Sequence, residues 1–137
     1  MPPIVALAAR RHPEAYAAVI YPLRRGRILS VSRKDTGVLS AVGGKLEGAE
    51  TSLQAAIREA GEEVGVDQDC LLYVQLVYIG IHAGRRIDAF TCFLSPDARP
   101  MATETGTRIG WLWPSQIAQG FGGAFHRKAL RRAGLLR

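Results

Sequence analysis

Two rhythms of apolar residues alternate along the chain. "EAYAAVIYPL" and "RILSVSR" are short apolar runs rich in β-branched residues, and they predict two strands joined by a turn at Arg24–Gly26. A loop over 34–40 leads into "AVGGKLEGAE", where Gly43, Gly44 and Gly48 predict an irregular backbone, through positive φ or close approach to a ligand. From Leu53 the period becomes helical. Leu53, Ala56, Ile57, Ala60 and Val64 fall in one arc at about 100° per residue, and that arc is expected to face the core. Thr51 or Ser52 stands where an N-cap belongs, and Gly65 where a C-terminal glycine belongs. "LLYVQLVYIGIH" and "RRIDAFTCFLS" then read as a hairpin turning at "AGR", "SPDARPMATETGT" as loop, and "RIGWLWP" as a short strand with Trp111 and Trp113 packed on the core. The tail, "GGAFHRKALRRAGLL", carries Phe125, Ala129, Leu130 and Ala133 at helical spacing, with basic residues opposite. The N-terminal "MPPIVALAARRH" predicts a short arm or first strand; its charges follow the apolar run, the wrong order for a signal peptide. Strands, one helix, strands and one helix predict a mixed sheet with helices packed on it.

Composition narrows the class. A chain of 137 residues suits one domain, 1–137, and 47% hydrophobic with 22% charged residues excludes a disordered chain. No apolar run approaches the ~20 residues needed to span a membrane, so no membrane partner is expected. Cys70 and Cys92 form no C-x-x-C pair, which excludes a disulfide framework and suits a reducing cytoplasm. The net charge of +6 favours anionic partners. Against it, five of the seven glutamates (Glu47, Glu50, Glu59, Glu62, Glu63) crowd into positions 47–63. An acidic focus in a basic chain suggests a metal ion ringed by phosphate-attracting charge.

The helix carrying that focus works against itself. Glu59 repels Glu62 and Glu63 at i+3 and i+4, by roughly 0.2–0.5 kcal/mol each. All three sit toward the negative end of the helix dipole. Gly61 costs up to about 1 kcal/mol against alanine. A divalent cation would reverse the repulsion, and hard carboxylate oxygens suit Mg²⁺ or Mn²⁺. Ser52 and Ala55 share the acidic side and, being small, would let a loop or ligand lie there.

"GGKLEGAETSLQAAIREAGEEVGV" resembles the signature of the Nudix hydrolase family, G-x5-E-x7-R-E-U-x-E-E-x-G-U, where U is a bulky apolar residue. Gly44, Glu50, Arg58, Glu59, Glu62, Glu63, Gly65 and Val66 fill its fixed positions, while Ala60 stands where a larger aliphatic residue is usual. The resemblance implies an α/β/α sandwich, a mixed β-sheet packed between helices. It implies that Glu59, Glu62 and Glu63 are the metal-binding and catalytic carboxylates, that the Gly44 carbonyl is a further ligand, and that Glu50 and Arg58 form a structural pair. The implied reaction is Mg²⁺-dependent hydrolysis of a nucleoside diphosphate linked to another group. A nucleoside triphosphate or modified nucleotide is the expected substrate, as in mutator-type relatives. An RNA 5′-end pyrophosphohydrolase using the basic tail, and a non-catalytic nucleotide sensor, are the alternatives. Glu104 is the candidate general base outside the signature, and Arg33 and Lys34 are candidate phosphate contacts. Arg108 stands where many relatives carry a glutamate before the tryptophan, and His82, near a hairpin turn, reads as a surface residue.

Overall fold

A computed structural model describes residues 14–137, so the arm or strand expected over 1–12 lies outside the described residues. Six strands form one sheet: β1 (Ala17–Arg24), β2 (Arg27–Ser32), β3 (Leu39–Lys45), β4 (Leu71–His82), β5 (Arg85–Leu94) and β6 (Ile109–Leu112). Their order is β4-β5-β1-β3-β2-β6, with a further β1–β2 pairing. β1 runs parallel to β5 and antiparallel to β2 and β3. The helices are α1 (Ser52–Val64), α2 (Pro114–Gln119) and α3 (Gly123–Arg132).

The period-two alternation of β1 explains the layering. Ala18 and Ile20 face a core that holds Ala55, Ala56, Ala60 and Val64 of α1. Tyr21 and Leu23 face a second core with Ile117 of α2 and Phe125, Ala129 and Leu130 of α3. A sheet covered on both faces uses nearly continuous apolar strands, as β1 and β2 do. The result is the expected α/β/α sandwich.

α1 begins and ends where its caps predict. Thr51 accepts from the Gln54 N–H at 3.1 Å and the Gln54 side chain accepts from the Thr51 N–H at 2.8 Å, a capping box. Gly65 closes the helix at φ 66°, where a Cβ would be strained.

Four expectations need correction. Gly43 and Gly44 lie in an ordinary strand, β3, rather than in an irregular loop. They are glycines because of close approach: a Cβ on Gly43 would stand 2.3 Å from the Ala18 carbonyl oxygen. The buried arc of α1 is rolled, so that Leu53 is 43% exposed and Ala55 fully buried. That roll brings the Ala55–Glu59 row against the sheet. α2 was not expected, because six residues are too few to show a helical period; Pro114 at its first turn starts it. Trp113, expected on the strand, instead precedes α2 and is 47% exposed, while Trp111 packs against the first core.

Candidate active site

Arg58 organises the end of α1 that faces the glycine strand. Its guanidinium donates from Nε to Glu50 Oε2 at 2.8 Å and from Nη2 to Glu50 Oε1 at 3.1 Å and to the Lys45 carbonyl at 3.0 Å. This fork joins α1 to the preceding loop, the pairing that the resemblance to the Nudix signature implied. Nη1 donates to Glu59 Oε1 and to Glu62 Oε2, both at 3.0 Å. Two of the three crowded carboxylates thus share one cation, which lowers the helix's self-repulsion.

Glu59 leans on Gly44 so closely that a Cβ there would meet its Oε1 at 2.3 Å. Glu63 turns the same way and accepts from the Gly43 N–H at 2.9 Å. Both carboxyls are pushed above their ordinary range, chiefly by burial. For Glu63 the value is about 8, with the neighbouring Glu59 charge raising it and the Gly43 N–H opposing. Glu62 is different. Its side chain is 54% exposed and lies outside the cleft that Glu59 and Glu63 line.

That cleft, about 450 Å³, also receives Arg33, Lys34 and Glu104. Glu104 reaches it because the 95–107 loop is tied back over the end of α1. The Met101 N–H donates to the Val64 carbonyl at 3.0 Å, and the Thr103 hydroxyl donates to the Glu62 carbonyl. Lys34 pairs with Glu104, which raises the ammonium's pKa, and Arg33 forks onto Asp35 at 2.6 and 3.0 Å. Arg108 is turned away, with its N–H on Ser32 and its guanidinium on the Gly37 carbonyl. Ser32, Asp35 and Thr107 line the cleft too, and no local pattern in the sequence singled them out.

A second compartment of about 180 Å³ adjoins the first and shares Arg33, Ser40, Ala41 and Gly43 with it. The Arg33 guanidinium lies 3.6 Å from the centre of the Phe121 ring, and His82 meets the same ring edge-on at 6.2 Å. His82 is therefore a wall of this compartment rather than a plain surface residue. Opposite stands His126 on α3, buried and hydrogen-bonded to Tyr21. Tyr21, Phe121 and His126 were missed by sequence reasoning. The basic face of α3, by contrast, is exposed as its pattern predicts, at Arg127, Lys128, Arg131 and Arg132.

The family model for the NUDIX domain matches residues 11–132. The chain belongs to the Nudix family. Nudix hydrolases act on nucleoside diphosphates linked to another group, and this chain is a hydrolase of that class. Solved structures agree. The MutT Nudix hydrolase of Burkholderia pseudomallei is 26% identical, with 85% of this chain and 95% of that one covered, at a TM-score of 0.63. The Ap4A hydrolase of C. elegans is 20% identical, covers 88% of this chain and 96% of its own, at a TM-score of 0.64, and shares the fold. No curated protein matches the sequence.

Nudix hydrolases generally use divalent cations, and the donor chemistry here fits one. Glu59 and Glu63 are adjacent, half-buried carboxyls that burial, before any other cause, holds above their ordinary pKa, and a cation beside them would favour their charged forms. Gly44 leaves the cradle that holds Glu59. Among the described residues, however, no three acidic, histidine or cysteine side chains already converge as a metal cage. Arg58 Nη1 occupies one carboxylate oxygen of Glu59 and one of Glu62.

Proposed function

We propose that residues 1–137 act as one Nudix domain that hydrolyses a nucleoside triphosphate or modified nucleotide with Mg²⁺, by water attack at phosphorus. The observation carrying this reading is that Glu59 and Glu63 share one cleft with Arg33, Lys34 and Glu104. Carboxylates for a cation and bases for a polyphosphate thus face each other across a space open to solvent. Glu59, Glu62, Glu63 and the Gly44 carbonyl would hold Mg²⁺ or Mn²⁺, which when bound lowers the pKa of water and offsets phosphate charge. For Glu62 this needs its carboxylate to leave Arg58.

The remaining roles belong to the chain. Arg33 and Lys34 hold the phosphates. When Lys34 turns to phosphate its pair with Glu104 opens, and Glu104 Oε2 is left to take the proton of the attacking water. Arg58 and Glu50 keep the Gly44 strand and α1 in register. Both named neighbours, a MutT and an Ap4A hydrolase, act within the class of nucleotide anhydrides.

The test is phosphate or pyrophosphate release across nucleoside triphosphates and modified nucleotides, with Mg²⁺ and with chelator. Turnover should require the cation, while the folded signal survives chelation because the apolar side of α1 does not depend on metal. Glu63→Gln should nearly abolish turnover and leave metal-free melting equal or higher. A variant that melts markedly lower yet turns over normally would make Glu63 a structural residue.

A further inference from the structure

The second compartment contains a polar group that the reaction above does not use. Tyr21 is fully buried on β1, and its hydroxyl lies 2.7 Å from His126 Nδ1. Burial holds the phenol well above its ordinary pKa, so it keeps its proton. A buried O–H needs an acceptor, and among the described residues His126 Nδ1 is the one it has. Nδ1 is therefore the bare nitrogen, and the ring proton sits on Nε2. The imidazole stays neutral at neutral pH, because burial, and second the His82 charge, lower its pKa to about 4. Nε2 borders the compartment, where a Cβ on Gly122 would stand 3.4 Å away. Among the described residues no sealed side-chain nitrogen or oxygen lacks a partner, so Nε2, which has none among them, is open to the compartment that His126 lines. Among the described residues the other polar side chains there are Arg33, Ser40 and His82, with no carboxylate, and Phe121 and Phe125 supply aromatic surface.

We propose that Tyr21 fixes His126 as an Nε2–H donor, and that this donor makes the compartment select oxo bases over their amino counterparts. The inference rests on the reading that a nucleotide is the substrate. An exocyclic oxygen, at C6 of a purine or C4 of a pyrimidine, accepts a hydrogen bond; an exocyclic amino group donates one. Placed against Nε2–H, an amino group opposes two donors that have both lost water. Tyr21 touches no substrate. It is a positioning residue that acts through the tautomer of His126.

Inosine and adenosine triphosphates test this, since both are purines and differ at C6 by oxo against amino. Each is titrated calorimetrically into metal-free protein in chelator, and kcat/KM is measured separately with Mg²⁺. Wild type should bind the inosine nucleotide about tenfold tighter or more. Tyr21→Phe frees Nδ1 to carry the proton, so Nε2 can accept, and the ratio should fall toward one mainly because the adenosine nucleotide binds better. His126→Gln leaves the tyrosine ring in place and offers both a donor and an acceptor, and should do the same. A merely structural Tyr21 would weaken both nucleotides equally and keep the ratio. No preference in wild type, no binding of either nucleotide, or a ratio unchanged in both variants overturns the proposal. If binding shows the preference and neither triphosphate is hydrolysed, the tautomer inference stands and the reading of the substrate as a triphosphate falls.

Discussion

Gly61 lies exposed on α1, and a Cβ there would meet only the Val66 carbonyl oxygen, at 3.8 Å. Neither packing nor a positive φ requires glycine at this position. Gly61→Ala should therefore raise stability by about 0.5–1 kcal/mol, through helix propensity and a less flexible unfolded chain. Denaturant unfolding in chelator measures it, and a loss of stability would mean that α1 needs the missing side chain. Gly44 is the opposite case, since its Cβ would occupy the space of the Glu59 carboxylate. Two glycines 17 positions apart thus look alike in the sequence and differ wholly in what surrounds them.

At the scale of elements, Arg58 is the joint between α1 and the loop that follows β3. Its fork serves Glu50 and the Lys45 carbonyl, and its third nitrogen serves Glu59 and Glu62. Arg58→Ala would leave Glu50, whose side chain is 14% exposed, without its cation. The expected loss is about 2–3 kcal/mol, below that of a fully buried pair because Arg58 itself stays partly hydrated. Turnover should fall as well, because β3 and α1 lose their register at Gly44 and Glu59. An Arg58→Ala protein with unchanged melting temperature and rate would remove this role.

Across the whole molecule, a half-buried carboxyl and a buried imidazole oppose each other in their response to pH. Glu63 has a folded pKa near 8 against an ordinary 4.5. Between those values the folded state holds a proton that the unfolded chain has lost, so stability falls as pH rises. His126 is lowered to about 4 from 6.5. Over that window the unfolded chain holds the extra proton, so stability rises with pH. The two slopes cancel between about pH 4.5 and 6.5 and leave a decline from about 6.5 to 8, of up to about 1.4 kcal/mol per unit for one proton. Metal-free wild type should show a plateau followed by this fall. Glu63→Gln should instead gain stability up to about pH 6.5 and then stay level. Melting curves in chelator across this range distinguish the two profiles, and an identical decline in both proteins would show that Glu63 is not its source. Among the described residues no helix is long and apolar enough to cross a membrane.

What the sequence determined by itself is what local energetics control. The span of α1, with Thr51 at one end and Gly65 at the other, follows from hydrogen bonds and dihedrals within a few residues. The β4–β5 hairpin follows from alternation around Ala83 and Gly84. The Glu50–Arg58 fork was implied by the resemblance to the Nudix signature, and the loop before α1 brings the Glu50 carboxylate to Arg58. The tertiary structure alone decided the rest. It rolled α1 so that Ala55 rather than Leu53 is buried, because the glycines of β3 let Glu59 and Glu63 lean against the sheet. It carried Glu104 to the cleft through bonds from Met101 and Thr103 to the end of α1. It joined Tyr21 to His126 across 105 positions. Such contacts have no local period to announce them: their energy exists only once the layers have closed and desolvated both partners, so sequence spacing does not encode them.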